Sequence, residues 1–169
     1  MPSLEDECTP APGRLLARPL SPHLPMSPQL QDRPSANDPS PSRSVLLVDD
    51  EALVRTAMHR FLARRGWTVS EAVDGDCART LLDPIAGIEF DLVICDLQMP
   101  RLSGREFYGW LARVRPDLAS RLVFSSGDLL SPEFAAFLTE TGRPVLPKPF
   151  DLSELARIVE EVYADARAA

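Results

Sequence analysis

The sequence predicts one α/β domain, a (βα)5 doubly wound parallel sheet, preceded by a proline-rich head. Three observations carry that reading. From Ser44 onward, short apolar runs alternate with helical patterns five times. Runs such as VLLV and DLVIC are continuously apolar, as strands buried on both faces are, and such strands belong to parallel sheets covered by helices. Five strand–helix units in about 125 residues match one domain of this class.

The elements run in order along the chain. VLLV (45–48) is the first strand, and a helix is expected over 51–65. WTVSEA (67–72) is the second strand, with a helix over 75–83. DLVIC (91–95) precedes a helix over 103–114, where Ser103 and Glu106 stand at capping-box spacing. RLVFS (121–125) precedes a helix over 132–141, and PVLP (144–147) precedes one over 152–166. Asp151 and Glu154 repeat the capping pattern there, and Leu152, Leu155, Ile158, Val159 and Val162 form one apolar stripe.

Residues 1–43 differ in kind. They hold ten of the seventeen prolines and show no helical or strand period. Pro19, Pro22, Pro25 and Pro28 are spaced by three, which would align them along one edge of a polyproline II helix. Such a segment could dock on a proline-binding domain. The expectation is a disordered tail or linker, with the folded domain spanning 44–169.

Composition excludes several classes. A net charge of -7 and a pI near 4.8 argue against direct nucleic-acid binding, which uses a basic face. No apolar run reaches the ~18 residues of a membrane span, and the acidic start MPSLEDECTP is no signal peptide. The chain therefore reads as cytoplasmic. Cys8, Cys77 and Cys95 are too few and too scattered for a disulfide framework or a zinc site, and Cys95 reads as core. His23 and His59 form no cluster, and His59 is expected on an exposed helix face among arginines.

The chemistry lies just past the end of each apolar run. Asp49-Asp50-Glu51 stands after the first, Asp96 after the third, Ser126 and Gly127 after the fourth, and Lys148 after the fifth. Only the second run lacks such a residue. Parallel strands share one carboxyl edge, and ligands bind there where the strand order reverses. In the order 2-1-3-4-5, strands one and three are neighbours, so Asp49, Asp50 and Asp96 would crowd one cleft. Each carboxylate pair at ~4 Å costs roughly 4 kcal/mol at an effective dielectric of about 20. Either one carboxylate takes up a proton or a cation sits among them. A hard divalent ion such as Mg²⁺ suits oxygen ligands of this kind. Lys148 is the only lysine; the other seventeen basic residues are arginines. A compact ammonium on a flexible stem can reach across a narrow cleft where a planar guanidinium is too broad. Singly, each residue has a plainer explanation as a cap, a turn or a surface group. Their joint order and spacing do not.

VLLVDDE, VICDLQMP, FSSGD and LPKPF closely resemble the receiver domain of two-component response regulators, over Ser44 to about Ala166. SGD followed by RPVLPKPFD is similar to receivers associated with hybrid sensor histidine kinases. The resemblance implies a flavodoxin-like fold and a set of roles. Asp96 would be the phosphoacceptor, taking phosphate from a histidine kinase or a histidine phosphotransfer protein. Asp50 would bind Mg²⁺ directly, Asp49 through water, and the backbone carbonyl of Gln98 would complete the site. Ser126 and Lys148 would contact the phosphoryl group, Gly127 would leave it room, and the Lys148–Pro149 bond would be cis. Gly104 would allow a tight entry to the third helix. Leu53, Val54, Ala57 and Met58 would include the kinase-docking surface. The family's switch aromatic is replaced by Val145, so a large aromatic rotamer change is not expected.

The expected role is a stand-alone receiver acting as phosphate shuttle, sink or interaction switch, not a conventional enzyme. Two alternatives are a phosphorylation-independent pseudo-receiver and a Mg²⁺-dependent aspartyl-phosphate phosphatase. The intact acids and lysine argue against the first. The second lacks an acid two residues after its nucleophile, where Gln98 stands.

Overall fold

The computed structural model describes residues 43–128 and 131–168; the proline-rich head through Ser42 lies outside the described residues. β1 (Arg43–Val48), β2 (Trp67–Ala72), β3 (Leu92–Asp96), β4 (Leu122–Ser126) and β5 (Val145–Pro147) form one parallel sheet in the order β2-β1-β3-β4-β5. Between and after them run α1 (Ala52–Arg64), α2 (Gly75–Leu81), α3 (Gly104–Val114), α4 (Pro116–Ala119), α5 (Pro132–Thr141) and α6 (Leu152–Ala168). The expected strand order and alternation are both present.

Alternation along each strand builds two apolar layers. Leu46, Val48, Val93, Cys95, Leu122 and Phe124 pack with Ala78, Leu81, Phe107 and Leu111 of α2 and α3. Val45, Leu47, Leu92, Ile94 and Val123 pack with Met58 and Leu62 of α1 and with Leu155, Ile158 and Val159 of α6. Ser103 and Glu106 make the expected capping box on α3, and Asp151 Oδ1 accepts the Glu154 N–H at 2.8 Å at the start of α6.

Several details depart from expectation. α2 stops at Leu81, and a 3-10 turn over Pro84–Ala86 comes next, capped by Asp83. α4 is one turn with Pro116 at its first position, too short to show a period in the sequence. Within α6, Leu152 is 44% exposed, so the buried stripe is narrower than its apolar residues suggest. His59 is half-buried, with Nδ1 2.5 Å from Glu71 Oε1 on β2. No helix among the described residues is long and apolar enough to cross a membrane.

Candidate functional site

Asp49 directly follows β1 and is fully buried. Its N–H donates to Ala72 O at 3.1 Å, extending the pairing with β2. Its Oδ1 accepts the Glu51 N–H at 2.9 Å, which turns the chain into α1. One turn later, the buried Arg55 reaches back. Its Nη1 donates to Asp49 O at 2.6 Å, and its Nε donates to Glu71 Oε2 at 3.1 Å. Strand, turn and arginine together hold the first acid in place.

Asp96 ends β3, opposite Ser125 of β4. Its Oδ1 accepts the Gln98 N–H at 3.0 Å. α3 begins close behind it: a Cβ on Gly104 would lie 2.0 Å from Asp96 O. Glycine is therefore required there, as expected. Ser126 ends β4, and its buried hydroxyl accepts the Asp128 N–H at 3.2 Å. The Lys148 N–H donates to Ser126 O at 2.8 Å, so β5 delivers the lysine in register with the serine. The Lys148–Pro149 peptide is cis. A Cβ on Gly127 would come no closer than 4.0 Å, to Lys148 Cβ. The protein itself thus leaves room for a methyl at that position.

These loops line a cavity of about 870 Å³ at the carboxyl edge of the sheet. On its lining, Lys148 Nζ donates to Asp96 Oδ2 at 2.6 Å and to Glu51 Oε1 at 2.9 Å. The ammonium also lies 2.9 Å from Asp49 Oδ2, as an ion pair. This buried oxygen has an ion-pair neighbour and no hydrogen bond. Burial raises the Asp49 carboxyl above its ordinary value, against the opposing pull of Lys148. Burial alone would lower the Lys148 ammonium, but the carboxylates of Asp96, Asp49 and Glu51 around it outweigh that and hold it above the usual lysine range. Burial also pushes the Cys95 thiol well up, helped by the charges of Asp96 and Asp49, so it stays an inert core group.

Ligand atoms of Asp49, Glu51 and Asp96 lie within 4.8 Å of one another. The donors are all carboxylate oxygens, and the Asp49 Oδ2 among them is buried without a hydrogen bond. This arrangement fits a hard divalent cation. Asp50 and Gln98 are exposed and line the same cavity, with the Asp50 carboxylate outside that close group. Sequence reasoning did not assign Glu51 or Arg55 a place in the site. The run of three acids was the available signal for Glu51; nothing comparable marks Arg55. Leu53, Val54, Ala57, Phe150 and Leu152 form the apolar side of the cavity, whereas Met58 is core.

The model of the response regulator receiver domain matches residues 45–160. A segment of the sensor kinase CckA of Brucella abortus is 38% identical over 128 residues, covering 75% of this chain and 13% of that protein. Response regulator MprA of Mycolicibacterium vanbaalenii is 40% identical over 111 residues, covering 66% and 46%. The chain thus spans less than half the length of these relatives. Among solved structures, the receiver domain of the Francisella response regulator 1452 matches with a TM-score of 0.62 at 25% identity, covering 73% of this chain and 98% of that one. The Thermotoga maritima response regulator TrrA, solved with Mg²⁺ and BeF, matches with a TM-score of 0.59 at 25% identity, covering 71% and 98%.

Proposed function

The chain belongs to the response regulator receiver domain family, and on that premise we propose that Asp96 is its phosphoacceptor. Receiver domains are phosphoacceptor signalling modules that take phosphoryl groups from histidine kinases. An Asp96 carboxylate oxygen attacks the phosphorus of a partner's phosphohistidine. The O–P bond forms as the P–N bond breaks, and the electron pair stays on the imidazole nitrogen. Asp49, Asp50, Asp96 and the Gln98 carbonyl would hold Mg²⁺. When bound, the ion offsets charge on the transferring group. Lys148 turns from Asp96 Oδ2 to a phosphoryl oxygen, and the Ser126 hydroxyl donates to another. Positioning and electrostatics do the rest.

The supporting observation is the 2.6 Å bond from the lone ammonium to Asp96, beside the buried Asp49. Incubation with acetyl phosphate and Mg²⁺, read by intact mass, should add one phosphoryl group. Asp96→Asn should add none, and undiminished labelling of that variant would refute the assignment.

Residues 44–169 are the receiver unit in this reading, and a chain lacking 1–43 should label as the full chain does. The role is shuttle, sink or contact switch. Val145, half-buried opposite Phe124, supports a receiver that works without a swinging aromatic ring. Phosphate should pass in both directions between Asp96 and a histidine phosphotransfer protein.

A further inference from the structure

Glu51 closes the pocket without belonging to the expected ligands. Its Oε1 accepts a hydrogen bond from Lys148 at 2.9 Å, while the other ammonium bond goes to Asp96 at 2.6 Å. Two of the three ammonium N–H groups are therefore committed. A phosphoryl group on Asp96 needs that same ammonium. The Glu51 side chain is 58% exposed and that of Lys148 is 13% exposed, so Glu51 stands on the solvent side. A phosphoryl donor approaching from solvent meets its negative charge. The same charge lies within 4.8 Å of the cation-binding oxygens of Asp49 and Asp96.

We propose that Glu51 is a positioning residue that restrains phosphorylation: it holds Lys148 toward the mouth of the pocket and repels the arriving phosphoryl group, while strengthening divalent-cation binding. This rests on Asp96 being the phosphoacceptor. Removing the Glu51 charge has two effects of opposite sign. Cation binding weakens, and labelling by an anionic donor at saturating Mg²⁺ speeds up. Each change is about three- to tenfold at low ionic strength and shrinks as salt is added. Loss of pocket structure would instead depress both.

The single lysine gives a direct probe. Lysine labelled with ¹³C at Cε yields one side-chain NMR signal from the full chain. In Glu51→Gln this signal should shift, Mg²⁺ titration should show the weaker affinity, and the initial rate of acetyl-phosphate labelling should rise. Glu51→Asp keeps the charge but withdraws it by one methylene. It should hold Mg²⁺ affinity within about twofold of the parent while still shifting the lysine signal. An unmoved lysine signal in Glu51→Gln, or a labelling rate that fails to rise, overturns the proposal. If the unsubstituted chain accepts no phosphoryl group, the Asp96 reading fails instead. The lysine signal and the Mg²⁺ titration then still decide whether Glu51 holds Lys148.

Discussion

Gly104→Ala tests how tightly α3 is built against the phosphoacceptor strand. The added Cβ would lie 2.0 Å from Asp96 O and 2.9 Å from both Asp96 C and Leu97 Cα. All three are backbone atoms at the end of a strand flanked on both sides, so none can swing aside. Cβ atoms essentially never approach within 3.0 Å of such neighbours, so helix and strand must part by at least about 1 Å. Overpacking of that size costs about 2–3 kcal/mol. For a domain of this length the thermal midpoint falls by roughly 6–15 °C. Gly109 supplies the internal control. It lies in the same helix, and a Cβ there would meet nothing within 4 Å. Gly109→Ala should therefore raise stability by about 0.5–1 kcal/mol through helix propensity alone. Urea unfolding of both variants, followed by circular dichroism, decides. Because the displaced carbonyl belongs to Asp96, Gly104→Ala should also weaken Mg²⁺ binding and slow labelling, while Gly109→Ala should do neither. A Gly104→Ala chain within about 0.5 kcal/mol of the parent, or two alanines acting in the same direction, refutes the packing argument.

Two further predictions concern Asp49. Arg55→Gln removes the buried donor to Asp49 O and the partner of Glu71, and should cost about 2–3 kcal/mol in urea unfolding; a loss below about 0.5 kcal/mol would mean that the arginine is dispensable. Asp49→Asn should stabilise the metal-free chain at pH 7 while abolishing tight Mg²⁺ binding. Burial raises this carboxyl in the folded state, so its contribution is favourable at acid pH and is lost as pH rises through the folded value. The advantage of the asparagine should therefore vanish below about pH 4, where the carboxyl is protonated in both states. Urea midpoints that differ by the same amount at about pH 7 and about pH 3.5 would contradict that sign.

Much of the fold was legible because burial on both faces leaves a plain mark. VLLV, DLVIC and RLVFS could only be interior strands, and their order predicted the sheet that is present. Asp49, Asp96, Ser126 and Lys148 were legible for a related reason. Each stands just after a strand or ends one, and a parallel sheet brings those ends to one edge. What stayed hidden depends on packing between elements. β2 had no polar residue at its end and seemed to contribute nothing. Its Glu71 nevertheless holds Arg55, and Arg55 holds the Asp49 carbonyl. That relay requires the register of β1 on β2, which pairs Leu47 with Glu71, and the placement of α1 above them. The partner of His59 was hidden for the same cause: the side chain is 40% exposed, but Glu71 lies on the strand beneath the helix, twelve residues away. The single turns at Pro84 and Pro116 carry no period at all.

Val145 raises a question of mechanism that the surrounding packing answers. Aromatic bulk on this face comes from other elements: Phe124 of β4 lies 5.5 Å from Tyr108 of α3 and 5.4 Å from Phe137 of α5, centroid to centroid. Tyr108 and Phe137 complete the triangle at 6.0 Å. Phe124 is fully buried and Phe137 nearly so, so these rings are core rather than a movable latch. In the proposed phosphotransfer, movement would start elsewhere, and the hydrogen bonds around Ser126 offer a route. Its hydroxyl accepts the Asp128 N–H at 3.2 Å, and Asp128 Oδ1 accepts the Ser131 N–H at 3.2 Å, one residue before α5. If the Ser126 hydroxyl swings toward a phosphoryl group, the Asp128 N–H loses its acceptor, and the tie from β4 to the start of α5 loosens. Those two bonds, each from a backbone N–H to a side-chain oxygen, would then carry the signal where the family more often uses a ring.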